Sequence, residues 1–533
     1  MMPIASEEHQ EPQQLETCTH NPSAPSHELF DISTAVDPSY IISLIRKLIP
    51  SNAKNESVLS GEGKYETTGE CTLSNEKNEN GVSQIENCEA RDGSCSQVEG
   101  MDTVDAVNDD NGRERMENGL QHNHESDDRS VDGDAWEEYG CTLWDLAASE
   151  THAELMVQNL ILEVLLTNVR CSRSARVTEI CLGILGNLAC HEVPQKQIAS
   201  TNGLVETILD QLFSDDAPSL REALRLITLC VQGAESVLWA NALKSELIIS
   251  RILWISENAL NLQLLEKSVG LFSAIAESSQ EAAFVLLPPL FNLGLPNILI
   301  SLLDFEMSSL TREKDSERYS ILDFILRTIE ALSTLDDYSQ QICVRKDLFQ
   351  LLNALIKLPD KIEVAGSCIS AAVLLANILT DAPDLGLEAS QDIHFLQGLF
   401  EIFPLACDDA EAQSALWSIL ARLLCQVKEG EMNFVRLHQY ASVLASKSEL
   451  IEEELLNHNS DPKEADEHPN NITTRKAILL ALRRISDILT QWTSSKEHAA
   501  ESDRERDYVN EEHVDKLKGC INKYEVKNNS NPN

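Results

Sequence analysis

Residues 171–192 read CSRSARVTEICLGILGNLACHE, a stretch in which Ile184, Leu185 and Leu188 fall on one face of a helix. Apolar triplets at the same offsets return as Leu226/Ile227/Cys230, Leu271/Phe272/Ile275, Ala331/Leu332/Leu335, Leu374/Leu375/Ile378, Ile419/Leu420/Leu423 and Ala481/Leu482/Ile485. Their windows begin at 180, 222, 267, 327, 370, 415 and 477, with spacings of 42, 45, 60, 43, 45 and 62 residues. Four of these six spacings match a solenoid repeat of two or three helices. From Trp136 to Trp492 the chain is Leu-rich and Ala-rich, with apolar residues three and four apart and almost no strand-like alternation. The expected fold is all-α, an armadillo-like α-solenoid of about seven repeats over residues 136–492.

The two long spacings each contain one polar insertion, Asp304–Ser320 and Asn457–Thr474, read as surface loops in an otherwise regular array. A second signature precedes several windows: Gly203-Leu204-Val205, and likewise Gly294-Leu295-Pro296. A glycine that ends one helix just before the next begins is the punctuation of stacked helices. It also accounts for the 22 uncharged residues from Ala282 to Leu303, which Pro288, Pro289, Gly294 and Pro296 interrupt. They read as two buried helices around a turn, and no membrane span is predicted.

The flanking segments differ in composition. The whole chain of 533 residues has a net charge of −45, which disfavours nucleic-acid and anionic-membrane partners and favours basic or apolar ones. Residues 1–135 hold 28 acidic against 9 basic side chains. Residues 1–36 are expected to be disordered, and 51–135 to be an acidic disordered linker too poor in large apolar residues to bury a core. Between them, Asp37–Pro50 places Ile41, Leu44, Ile45 and Leu48 on one helical face, a short amphipathic helix suited to docking on the main domain or on a partner. Residues 493–533 read as a charged, frayed tail, with room for a helix around Val514–Val526. The N-terminus has no basic and apolar secretory signature, and the 14 scattered cysteines form no Cys-x-x-Cys pair. Free thiols in a reducing compartment are expected, with Cys181, Cys190, Cys230, Cys368 and Cys425 in apolar stretches.

One segment is specific enough to resemble a family. CTLWDLAASETHAELMVQNLILEVLL followed by CSRSARVTEICLGILGNLACHE, Cys141–Glu192, resembles the serum-amyloid-A-like (SAAL) family of armadillo-fold proteins. Cys171, Arg173, Glu179, Ile180, Cys181, Gly183, Ile184, Leu185, Gly186, Asn187 and Ala189 carry the likeness, and the early helix followed by an acidic stretch matches the family's layout. The resemblance implies a link to regulation of cell proliferation and a nuclear or cytoplasmic location.

No catalytic constellation can be assembled from the sequence, and neither a cofactor nor a metal is expected. His191-Glu192 lacks a second histidine at 195, Gly61-Glu62-Gly63-Lys64 lacks the spacing of a phosphate loop, and His122 with His124 falls in the linker. The candidate partner-binding residues lie on the third helices: Asn187 and Asn377 at the eighth offset of their windows, with Arg422 and Arg484 at that offset further on. An asparagine there can hold an extended peptide's backbone, since its amide both donates and accepts; the alternative is that Asn187 caps or bridges neighbouring helices. Arg422, Arg483 and Arg484 form either a basic patch or a solvated face. Trp144, Trp239, Trp254 and Trp417 read as packing residues. The expected function is a non-enzymatic scaffold binding protein segments along the solenoid's concave face, the alternative being an importin-like transport adaptor for basic peptides.

Overall fold

The computed structural model describes residues 36–50, 128–310, 312, 316–427, 433–457, 469–496 and 509–529. Among the described residues the regular elements are helices, with no strand. By its contacts the chain divides into two units, Met1–Leu48 with Glu137–Asn533, and Ile49–Trp136. Residues 1–35 and most of the acidic segment lie outside the described residues, so those two expectations are not addressed. Residues 128–135, expected to be linker, are instead the start of helix α2 (Asp128–Leu146).

Seven three-helix repeats follow α2. The first is α3 (Glu150–Gln158), α4 (Ile161–Cys171) and α5 (Ala175–Leu188); the second is α6 (Glu192–Ser200), α7 (Leu204–Asp210) and α8 (Ala217–Gln232). Then come α9 (Ser236–Leu243), α10 (Glu246–Asn258) and α11 (Leu262–Glu277), followed by α12 (Gln280–Asn292), α13 (Leu295–Leu310) and α14 (Ser316–Ser333). The fifth repeat is α15 (Ser339–Cys343), α16 (Lys346–Ile356) and α17 (Ala365–Asp381), and the sixth is α18 (Asp384–Ser390), α19 (Ile393–Ile402) and α20 (Ala410–Gln426). The seventh is α21 (Phe434–Ser446), α22 (Ser448–Asn457) and α23 (Pro469–Lys496).

Four of the third helices start at a side-chain cap. Ser174, Asp216, Asn261 and Asp409 accept from the amides of Val177, Ser219, Leu264 and Ala412, satisfying donors that have no partner inside the helix. The third helices then stack in chain order, α5 on α8 on α11 on α14 on α17 on α20 on α23. All seven windows found by periodicity fall on these helices. A second layer forms where α10 packs on α13, α13 on α16 and α16 on α19.

Both ends of the stack are covered. Helix α1 (Pro38–Lys47) packs on α3 and buries Ile41, Leu44, Ile45 and Leu48, while Asn168 of α4 donates to the Leu48 carbonyl at 2.9 Å. At the other end α24 (Glu511–Asn529) lies on α21, α22 and α23 and buries Val514, Leu517, Ile521 and Tyr524. The stretch read as a frayed tail thus holds a full helix, whose apolar residues recur at helical spacing inside a charged sequence.

The insertion Asp304–Ser320 also departs from expectation. Its two ends belong to α13 and α14, and one pair of its charges meets: Glu306 is 1% exposed and accepts from Arg318 Nη1 at 2.9 and 3.0 Å. A buried carboxylate needs such a partner, since leaving it alone costs several kcal/mol, about 3–5. Of Asn457–Thr474, residues 458–468 lie outside the described residues, and α23 begins at Pro469. Helix α12 runs through Pro288 and Pro289, ends at Asn292, and meets α13 at a 71° bend. No single helix among the described residues is long and apolar enough to cross a membrane. Trp239 and Trp417 are buried, whereas Trp254 is 51% exposed beneath the Arg251 guanidinium, and Cys190 and Cys425 are exposed rather than buried. The sequence places both cysteines near the C-terminal ends of their helices, where the apolar stripe runs out.

Gly203 and Gly294, at the entries to α7 and α13, adopt φ of +75° and +98°. The equivalent entry to α4 is held by Leu160, at φ 64° and 62% exposed. The left-handed conformation costs a side chain with a Cβ about 1–2 kcal/mol, and Leu160 recovers little by burial. Leu160→Gly is expected to stabilise the array by about 0.5–1 kcal/mol after glycine's own entropic cost. A higher denaturant midpoint by circular dichroism checks this; an unchanged or lower one counts against it.

Candidate functional site: the groove of the third helices

Asn187, Asn377, Arg422 and Arg484 share one task in the structure. Each reaches the C-terminal end of the helix that precedes its own in the stack. Asn187 Nδ2 donates to the Trp144 carbonyl of α2 at 2.8 Å, and Asn377 Nδ2 to the hydroxyl of Ser333, the last residue of α14, at 3.1 Å. Arg422 Nη1 donates to the Leu379 carbonyl of α17 at 2.7 Å. Arg484 donates through Nε and Nη2 to the carbonyls of Leu424 and Val427, at 3.3 and 2.5 Å. The last carbonyls of a helix have no donor within it and carry the negative end of its dipole, so an amide or guanidinium there is favoured twice over.

The recurrent polar offset is therefore a capping ladder between helices. Asn187 has both ends of its amide engaged, because Oδ1 accepts from Arg225 Nη2 at 3.0 Å. Of the two readings of Asn187, this geometry matches the one in which it bridges neighbouring helices. The C-terminal arginines do not merge into one patch either: Arg483 pairs with Glu525 of α24 at 3.4 Å, and Arg484 with Asp487 at 3.0 Å.

The residues that carried the resemblance surround the same ladder. An added Cβ on Gly183 would lie 2.2 Å from the Trp144 ring, and one on Gly186 would lie 2.5 Å from Arg225 Nη2. Glu179 takes Arg176 at 2.6 Å and Arg221 at 3.4 Å; Glu222, buried, takes Arg221 at 3.2 Å and Arg225 at 2.8 Å. Arg221 continues to Gln263 of α11 at 2.7 Å, so α5, α8 and α11 are tied by one polar chain.

Asn377 and Arg422 also meet as lining of a groove of about 670 Å³ between α17, α20 and α23. Its walls include Thr380, Glu411, Ser414 and Ser418, none of which sequence reasoning picked out. Their signal is the face of α20 opposite its apolar stripe, which is legible only once the neighbours are known. Arg422 is half-buried. Besides Leu379 it bonds only Ser418, at 3.4 Å, and no carboxylate among the described residues lies within ion-pair distance. Burial lowers the pKa of its guanidinium, which still remains charged. At the opposite end of α20 the balance is acidic. Burial raises the pKa of the Glu330 carboxyl and the nearby charges of Glu411 and Asp409 add to this, against a Ser370 hydrogen bond and Arg327. Among the described residues no group of three or more His, Cys, Asp and Glu side chains is placed to hold a metal ion.

No family model matches the chain. Protein saal1 of Danio rerio is 26% identical over 217 residues, 39% of this chain and 45% of that protein. The chain is similar to SAAL1 proteins over part of its length. Protein SAAL1 of Homo sapiens is 30% identical over 129 residues, 24% of this chain and 27% of that one. The chain thus spans less than half the length of each of these SAAL1 relatives. Among solved structures, an engineered protein aligns at 16% identity over 77% of this chain and 87% of its own, with a TM-score of 0.47. A designed armadillo repeat protein in complex with peptide (KR)4 aligns at 14% identity over 48% of this chain and 95% of its own, with a TM-score of 0.38.

Two outcomes follow from the geometry. Asn187→Ala removes the cap on Trp144 and one acceptor of Arg225, and is expected to cost about 1–3 kcal/mol of stability; an unchanged melt would contradict the structural role. Glu330, its carboxyl raised above the ordinary 4.5, supports the fold fully below that pH and loses this contribution as pH rises through its folded value. Glu330→Gln should therefore stabilise at neutral pH, with the gain vanishing as the pH of the denaturation experiment falls below 4.5.

Proposed function

We propose that the chain is a non-enzymatic scaffold that holds segments of other proteins along its third-helix face. The observation that carries this is the groove between α17, α20 and α23. Its lining presents hydroxyls, an amide and charges of both signs rather than a deep apolar cavity suited to a small substrate. Stacked repeats give such a face length, so a partner can be bound through several repeats at once. A smaller hollow between α8, α11 and α14 adds further polar lining in Arg225, Thr228, Gln232, Glu266, Ser273 and Arg327. The relation to the SAAL1 proteins fits a protein-interaction role. The family resemblance supports extending the proposal to regulation of cell proliferation in the nucleus or cytoplasm. A transport adaptor for basic peptides would need an asparagine ladder open to the groove, whereas Asn187 spends one N–H on Trp144 and its oxygen on Arg225.

The test is comparative affinity purification with the full chain. Thr380→Arg puts a long cation into the groove from an exposed position, whereas Leu247→Arg changes α10, a second-layer helix, at a residue already 70% exposed. Proteins lost with Thr380→Arg and kept with Leu247→Arg are the expected result. Captured sets that respond equally to both changes would sink the proposal.

A further inference from the structure

We infer that the groove between α17, α20 and α23 takes an extended partner segment of mixed charge, seating a carboxylate on Arg422 and a lysine or arginine beside Glu411. This rests on the scaffold reading above and adds the chemistry of the segment.

Two charges on the groove wall have no counter-ion among the described residues. Arg422 cannot shed its proton, is half-buried, and spends its donors on one carbonyl and one long bond to Ser418. Its Nη2 has no acceptor among the described residues. A planar carboxylate is the group that matches the open side of a guanidinium, taking two donors at once and displacing the 3.4 Å Ser418 contact. At the other end of the same wall, Glu411 is exposed and has no cation within ion-pair distance among the described residues, while Asp409 and Glu330 deepen the negative potential around it. Glu411 and Arg422 are eleven positions apart on α20, about 16 Å along the helix axis. An extended chain advances roughly 3.3 Å per residue, so the two charges match side chains about five residues apart.

The lining between them suits a main chain rather than a third charge. Asn377 donates to Ser333 and keeps Oδ1 free to accept a partner's backbone amide. Thr380, whose hydroxyl donates to the Ala376 carbonyl at 2.8 Å, and Ser414, bonded to Thr474 at 2.7 Å, keep oxygen lone pairs that can accept along the way. The remaining arginines nearby cannot substitute for Arg422: Arg484 is committed to two carbonyls and Asp487. An all-basic segment would bring like charge against Arg422, and an all-acidic one would meet Glu411, Asp409 and Glu330, so the groove selects the combination.

The experiment is selection from a displayed library of random peptides on the full chain, followed by fluorescence anisotropy with the enriched sequences. Two variants accompany the wild type. Arg422→Gln removes the cation. Ser418→Asp keeps it and supplies an internal carboxylate one turn away, closing the site while leaving the cap on Leu379 in place. Enriched peptides are expected to carry an acidic residue about five positions from a basic one. They should bind both variants about tenfold more weakly or worse, with Ser418→Asp melting no lower than wild type. Peptides enriched without a carboxylate, or bound equally by Ser418→Asp and wild type, would overturn the mixed-charge assignment and leave the scaffold standing. A failure to enrich any peptide would overturn both.

Discussion

A third helix in this array has to be covered on two sides. In α17 the buried set runs Ser370, Ala371, Ala372, Val373, Leu374 and Leu375 without a break, so the helix has no solvent face through about a turn and a half. Such a segment is stable only between α14 and α20, and each of those needs its own outer neighbour. The requirement propagates until something of a different kind ends it. At one end α2 does so, with the Trp144 ring beside Gly183 of α5, and at the other α24, which buries Val514, Leu517, Ile521 and Tyr524. The small residues follow from the same constraint: Gly183 has no room for a Cβ because Trp144 occupies that space.

Stacking creates a polar problem along with the apolar solution. Helices that end inside the array leave carbonyls that water reaches poorly, and at three of these ends the next repeat answers with Asn187, Arg422 or Arg484. The polar groups available to a partner are what remains after this internal demand. That remainder is uneven. Around α5 and α8 the arginines and glutamates neutralise one another, whereas around α20 Arg422 and Glu411 have no counter-ion among the described residues. The groove proposed for recognition is thus where the described polar network is thinnest.

The periodic triplets made the fold readable because a third helix buried on both sides imposes a strict apolar spacing, and all seven windows correspond to third helices. The glycine punctuation was readable for a similar reason, since Gly203 and Gly294 take a backbone conformation other residues avoid; Leu160, which takes it anyway, carried no signal. Charge content misled where charges are paired in the interior, as with Glu306 and Arg318, or where they flank an apolar stripe, as in α24. The candidate site was legible only by halves. The offset shared by Asn187 and Arg422 was visible, but whether such a residue faces a partner or a neighbouring helix depends on where the preceding helix ends. Sequence spacing does not contain that information.

The buried thiols put this linear architecture within experimental reach. Cys181 lies in α5, Cys230 in α8, Cys343 in α15 and Cys368 in α17, so they mark the first, second and fifth repeats. Burial raises the pKa of all four thiols, in Cys343 and Cys368 to about 12, so in the closed array they are protonated and unreactive. A thiol reagent reaches each one when its own repeat opens. The order in which they react is then a clock for how the array comes apart, running from whichever end loses its cover first.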